Sequence, residues 1–205
     1  MGIGWMRAEA GEVLYAYANG WDTSPVAKAG SVEAVKSVGN STTCPRDLRI
    51  NADAKLVITM MAEEVSRRLR EQRLQGKTVV LFLRDNNLKS WERQAPMKRY
   101  TNVCSEIAEE AYALFRKVYD WPASLRGLGV RVTDLIPAGS AEQCLLFGEE
   151  AHRRQISLDK AVDSVRNRFG EGSVKRALLM TDPQLAHLDP NIQSSLQNFV
   201  QAASD

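Results

Sequence analysis

Five basic side chains, Arg84, Lys89, Arg93, Lys98 and Arg99, fall between Arg84 and Tyr100, against two acids, Asp85 and Glu92. That local excess of three positive charges exceeds the +2 carried by the whole 205-residue chain. Upstream, Ser41, Thr42 and Thr43 supply hydroxyls, and Arg46 a further cation. Hydroxyls, backbone amides and arginines at strand spacing suit a grip on phosphates, which offer charge and acceptor oxygens but no base sequence. The same residues also suit a solvated polar sheet face. Residue types alone leave both readings open.

Other chemistries find little support. There is no Gly-rich phosphate loop, no cysteine pair at metal-binding spacing, no G-x-S-x-G and no H-E-x-x-H. The two histidines, His152 and His187, lie in polar segments and read as surface residues. Glu63-Glu64 and Glu109-Glu110 fall on helical patterns as solvated faces, and nothing assembles the clustered carboxylates of two-metal chemistry. The three cysteines, Cys44, Cys104 and Cys144, are odd in number and widely spaced, which argues for packed thiols in a reducing compartment. With 44% hydrophobic and 25% charged residues, the chain reads as soluble and globular. It has no apolar run near the ~20 residues of a membrane helix and no secretory leader pattern. The expectation is a cytoplasmic chain with no membrane partner.

These candidate residues must be positioned by elements, and the punctuation of the chain outlines them. Ala8 to Asn19 has helical spacing and stops at Asn19-Gly20. Residues 22–35 are rich in small and breaker residues and read as a linker. From residue 36 to 136 the order is strand (Lys36–Cys44), helix (Ala54–Gln75, with Asn51 or Asp53 as cap and Gly76 as stop) and strand (Thr78–Arg84). After the turn Asp85-Asn86-Asn87 come a strand (Lys89–Lys98), a helix (Val103–Tyr119, capped by Asn102) and a strand (Arg126–Thr133). Val57, Met61, Val65 and Leu69 line one helix face, and Val103, Ile107, Ala111, Leu114 and Val118 the other. Alternation puts Trp91, Arg93 and Ala95 on one face of their strand, with Ser90, Glu92 and Gln94 opposite. It likewise sets Arg131 and Thr133 opposite Leu128, Val130 and Val132. The β-α-β-β-α-β order predicts an α+β fold. A four-stranded antiparallel or mixed sheet would carry two helices on one face and leave the other open. Beyond Pro137, a loop over Ala138–Glu150 precedes a helix from Ser157 to Phe169 and a weakly patterned tail.

Several of these segments resemble the C-terminal half of Y-family translesion DNA polymerases, in their bacterial DNA polymerase IV branch. Lys36-Ser-Val-Gly-Asn-Ser-Thr-Thr-Cys-Pro-Arg-Asp-Leu48 is similar to the opening strand of their DNA-binding little finger domain. Arg84-Asp-Asn-Asn-Leu-Lys-Ser-Trp-Glu-Arg-Gln94 resembles its central hairpin, and Leu125-Arg-Gly-Leu-Gly-Val-Arg-Val132 its last strand. Leu14 to Pro25 is similar to the end of the thumb, and Leu158 to Phe169 to the C-terminal extension. The resemblance implies a thumb remnant over 1–21, a linker over 22–35, a little finger over 36–136 and an extension over 137–205.

The resemblance also implies a set of contact residues. Ser37, Gly39, Asn40, Ser41, Thr42 and Thr43 are expected to offer amides and hydroxyls to duplex primer–template DNA. Arg46, Arg84, Arg93, Gln94, Lys98 and Arg99 are expected to supply longer contacts, without sequence specificity. Gln143-Cys-Leu-Leu-Phe147 resembles the short peptide that attaches such polymerases to the bacterial sliding clamp, with Gln143, Leu146 and Phe147 as anchors. The magnesium-binding carboxylates of the family belong to palm and fingers domains without counterpart in these residues. The expectation is therefore DNA binding without polymerisation, and no cofactor. A protein-interaction module using the open sheet face is the alternative.

Overall fold

A computed structural model describes residues 8–22, 25–26, 34–140 and 148–186. The chain divides into two units, 1–34 and 35–205. In the first, α1 (Ala8–Ala18) leaves Val13, Leu14, Tyr15 and Tyr17 exposed. It ends where Gly20 takes a left-handed φ of 73° and Tyr15 meets Trp21 edge to face at 5.9 Å.

The second unit is built from β1 (Ser37–Leu48), α2 (Asn51–Glu71), β2 (Leu74–Asp85), β3 (Ser90–Thr101), α3 (Cys104–Val118) and β4 (Leu125–Pro137). These make a four-stranded, fully antiparallel sheet in the order β1-β4-β2-β3. Strand β4 lies between β1 and β2, and β2 between β4 and β3, so each crossover helix joins two strands separated by a third. This is the split βαβ arrangement that the element order predicts, with both helices on one face. Val38 and Cys44, Val79, Leu81 and Leu83, and Leu128, Val130 and Val132 bury their side chains under Val57, Met61, Val65 and Leu69 of α2 and Ile107, Ala111 and Phe115 of α3.

Two boundaries differ from the sequence pattern for identifiable reasons. Helix α2 ends at Glu71, not Gln75, because Arg73 takes a left-handed φ of 54° and β2 begins at Leu74. Gly76 is therefore a strand residue; a Cβ there would lie 2.3 Å from Val132 Cγ1. The expected helix caps are also replaced. Asn51 Oδ1 accepts the Trp121 indole at 2.9 Å, and Asn102 Nδ2 donates to the Leu74 carbonyl at 2.9 Å. At α3, Thr101 Oγ1 accepts the Val103 amide at 3.0 Å, and the Asp159 carboxylate accepts the Cys104 amide at 2.8 Å.

Asp159 belongs to α4 (Glu149–Phe169), which begins eight residues earlier than its apolar spacing suggests. Its contacts are polar. Glu149 pairs with Arg99 at 2.7 Å, His152 Nδ1 with Glu106 at 2.7 Å, and Gln155 with Ser105 at 3.2 Å. Arg70 holds Asp163 at 2.6 Å and Asp159 at 3.3 Å. Beyond α4, Arg176 reaches Glu63 at 2.6 Å, and Leu179 and Leu185 are buried in the core. The short helix α5 (Pro183–Ala186) follows Asp182, which pairs with Arg46 at 2.6 Å. Helix α4 is thus fastened to the helix layer through charged and polar side chains, and the residues after it also through Leu179 and Leu185.

Candidate nucleic-acid interface

Register across the open face of the sheet forms a regular array. Thr43, Gly127, Arg84 and Ser90 lie in one row, and Ser41, Gly129, Phe82 and Glu92 in the next. Gly39, Arg131, Val80 and Gln94 form the third row, and Ser37, Thr133, Thr78 and Pro96 the fourth. The middle of the array is bare. A Cβ on Gly129 would lie 2.5 Å from the Ser41 Cβ and 2.9 Å from the Asn40 carbonyl oxygen, so only glycine fits there. Gly39 and Gly127 continue the bare strip, and a trough of about 450 Å³ runs over it.

The charged residues lining this trough are Arg68, Arg84, Arg131 and Glu92. Arg84 makes no ion pair among the described residues. Arg131 Nη2 meets Glu92 Oε2 at 2.5 Å, with both side chains more than 40% exposed, while the buried Arg131 Nε has no hydrogen-bond partner. Arg68 reaches around from α2 and donates from Nη1 to the Gly39 carbonyl at 3.0 Å. That bond fixes the outward direction of the backbone. Strand β1 is at the sheet edge, and the N–H and C=O of one strand residue point the same way. The amides of Gly39, Ser41 and Thr43 therefore lie along the outer edge. The carbonyls of Asn40 and Thr42 point at β4, against Gly129 and Gly127.

Of the residues singled out in the sequence, Ser37, Gly39, Ser41, Thr43, Arg84 and Gln94 share this face, and exposed Lys98 follows buried Met97 on the same side. Five others are placed elsewhere. Asn40 and Thr42 turn their side chains to the helix side and are buried. Arg93 stands opposite Leu81, between the core-packed Trp91 and Ala95, on the helix side. Arg46 is held by Asp53 through two bonds of 2.8 and 2.9 Å and by Asp182, and Arg99 by Glu149. Gln143, Leu146 and Phe147 lie outside the described residues.

Arg131, Thr133, Thr78 and Arg68 join the face although no motif pointed to them. Alternation in β4 had already separated Arg131 and Thr133 from the apolar side. Their place in the array depended on the strand order, which spacing within one strand does not reveal. Arg68 sits on a helix and carried no signal.

Ionisation argues against nucleophilic chemistry at the two buried cysteines. Burial pushes the Cys44 and Cys104 thiols up to about 12, so both stay protonated at neutral pH. The Arg46 guanidinium, hydrogen-bonded to both carboxylates, holds Asp53 and Asp182 below the ordinary carboxyl range. Among the described residues no cluster of three or more His, Cys, Asp or Glu could hold a metal ion. None of their helices is long and apolar enough to cross a membrane.

The fold and this face define an α+β domain of split βαβ topology with one helix-covered and one open sheet face. Residues 35–145 match the impB/mucB/samB family C-terminal domain, and the chain belongs to that family. It is 44% identical over 173 residues to the DNA polymerase IV of Acetivibrio thermocellus, covering 84% of this chain and 43% of that protein. It is 36% identical over 172 residues to the DNA polymerase IV of Moorella thermoacetica, covering 83% and 42% respectively. The chain thus spans less than half the length of these curated relatives. The sequence resemblance to DNA polymerase IV is borne out. Solved structures with similarity include a complex of a beta-clamp processivity factor with the little finger domain of PolIV. That likeness is 20% in sequence with a TM-score of 0.41, over 54% of this chain and 99% of that one. A Y-family DNA polymerase chimera gives 17% and 0.47, over 63% of this chain and 36% of that one.

Proposed function

We propose that this chain supplies the DNA grip of a DNA polymerase IV, holding duplex primer–template DNA by its phosphates without reading sequence. The observation that carries the reading is the glycine-floored trough, in which Arg84, Arg131 and Arg68 stand against the single acid Glu92. Alternate amides along β1 recur every ~6.8 Å, which is two base-pair rises of ~3.4 Å. A phosphate strand lying along the edge would meet the amides of Gly39, Ser41 and Thr43 in succession. Arg84 and Arg131 would then meet phosphates across the trough, with Gln94, Lys98 and the hydroxyls of Ser37 and Thr133 beside them. Backbone amides and short hydroxyls reach phosphate oxygens and carry no sequence information of their own. Contacts of this kind position a protein on DNA without specifying sequence. The grip needs no metal cofactor; magnesium would act only as a competing counterion.

The test is fluorescence anisotropy of the chain on short duplexes of unrelated sequence over a series of salt concentrations. Binding that falls linearly in log K against log salt, alike for every sequence, is the expected result, with a slope of about 0.9 per phosphate contacted. Arg84→Gln should lower that slope by about one contact, and Arg131→Gln by less, because Glu92 competes with phosphate for Arg131. A salt-insensitive complex, or none at low salt, would overturn the reading and leave the face to a protein partner.

The second part of the proposal concerns residues 141–147. Gln143, Leu146 and Phe147 are proposed to tether the chain to the bacterial sliding clamp, so that two weak attachments act together through effective concentration. Leu146→Ala with Phe147→Ala should abolish clamp capture and leave duplex affinity unchanged. A parallel loss of both would mean that the peptide belongs to the fold.

A further inference from the structure

A second cationic site lies at the end of the sheet where β2 begins and β4 ends, and it shares no residue with the trough. It is a cleft of about 770 Å³ between α4, the end of α2 and the residues following β4. At its base Arg70 holds Asp163 through two bonds of 2.6 and 2.8 Å, which neutralises the one acid lining the cleft. Around that base stand Arg73, Lys160 and Arg168, all exposed and none in an ion pair among the described residues. Arg73 is fixed by its left-handed turn and by its carbonyl, which accepts the Ala138 amide at 2.7 Å. Arg168 lies over the Phe169 ring at 5.0 Å, which holds its stem against the helix end. Asn102, Ser164 and Asn167, with Ala138 and the apolar Ile156, complete the lining.

Three cations without an ion pair among the described residues, around an already neutralised acid, make a site for an extended polyanion. Its position says which one. Leu74 pairs with Pro137, four residues along β2 from the Thr78–Thr133 row that closes the open-face array. At ~3.3 Å per residue the cleft begins roughly 13 Å beyond that row, or about four nucleotides at ~3.4 Å per step. We propose that the cleft is a second phosphate site for the same DNA, taking the backbone where it runs off the end of the sheet and turns toward the helix layer. This rests on the proposed DNA grip of the open face. It assigns to α4, an element held on by charge, a part in extending the footprint.

The experiment compares a duplex of about 8 base pairs, long enough for the open face alone, with one of about 20 that also reaches the cleft. Wild-type protein should show a steeper salt slope on the longer duplex, by up to about 2.7 for three added contacts at about 0.9 each. Arg73→Gln, Lys160→Gln and Arg168→Gln combined should erase that difference and leave the short duplex untouched. All three side chains are exposed and outside ion pairs among the described residues, and an unchanged melting temperature verifies the fold. If the triple variant keeps the wild-type slope on the long duplex, the proposal fails, and an acidic protein becomes the partner to seek. Arg84→Gln with Arg131→Gln separates the two readings. Unaltered binding of the short duplex by that variant would sink the open-face grip, while the length-dependent slope still reports on the cleft.

Discussion

Glu92→Gln should turn the trough into a tighter DNA site, a gain of function that a merely damaged fold does not produce. Arg131 Nη2 and Glu92 Oε2 stand 2.5 Å apart, and the two side chains are 41% and 47% exposed. An ion pair so exposed contributes about 1 kcal/mol or less to folding, so the variant should melt close to wild type. The larger effect is on the trough, where Glu92 is the one acid against Arg68, Arg84 and Arg131. Removing it frees the Arg131 guanidinium, whose Nε is already unpartnered, to meet a phosphate. Releasing that contact from competition steepens the log–log salt slope by up to about 0.9, equivalent to at most roughly eightfold tighter binding at ~0.1 M salt and vanishing toward 1 M. Anisotropy at four or more salt concentrations reads both quantities. In an Arg131→Gln background the gain should shrink, because the contact that Glu92 suppresses is then missing. An unchanged slope, or a gain that persists at high salt, would refute the reasoning.

Three further outcomes test the architecture. Gly129→Val should cost about 3 kcal/mol of stability or more, since even its Cβ would fall 2.5 Å from the Ser41 Cβ with backbone on the other side; a melting temperature like wild type would show that the trough floor yields. Asp159→Ala removes the acceptor for the Cys104 amide and for Arg70 and Arg176, at a cost of about 3 kcal/mol. Limited proteolysis should then cut the arm between Gly148 and Ala186 faster, and an arm as protected as wild type would count against charge-fastened docking. The third outcome concerns acid. Asp53 and Asp182 have folded values below the ordinary carboxyl value of about 3.9, so their stabilisation is present above it and lost as pH falls from about 5 through the folded values. Asp53→Asn should therefore flatten the acid limb of the stability profile, whereas an unchanged acid limb would mean that other carboxylates control it.

The parts of this molecule that were legible in its sequence are those whose signal is periodic and local. The apolar stripes of α2 and α3 and the alternation in β4 are of that kind, and they suffice for the split βαβ order. Helix α4 was half hidden because its first two turns dock through Glu149, His152 and Gln155, not through apolar residues, and a hydrophobic period is blind to charge. The candidate site was half legible for a related reason. Alternation says which residues of one strand share a face. It does not say that Arg131 comes to lie between Gly39 and Val80, which requires the order β1-β4-β2-β3. Nor does composition show which cations the fold has already engaged. Arg46 and Arg99 count as positive charge in any window of sequence, yet Arg46 is taken up by Asp53 and by the distant Asp182, and Arg99 by the distant Glu149. Arg84 and Arg131 differ from them only in facing bare glycine backbone and an exposed, releasable glutamate. The useful quantity for finding a phosphate grip in such a chain is therefore the cation left without a buried acid once tertiary pairing is complete. By that measure the trough and the cleft beside α4 stand out, and the basic hairpin that first drew attention brings Arg84 and Lys98 to the open face.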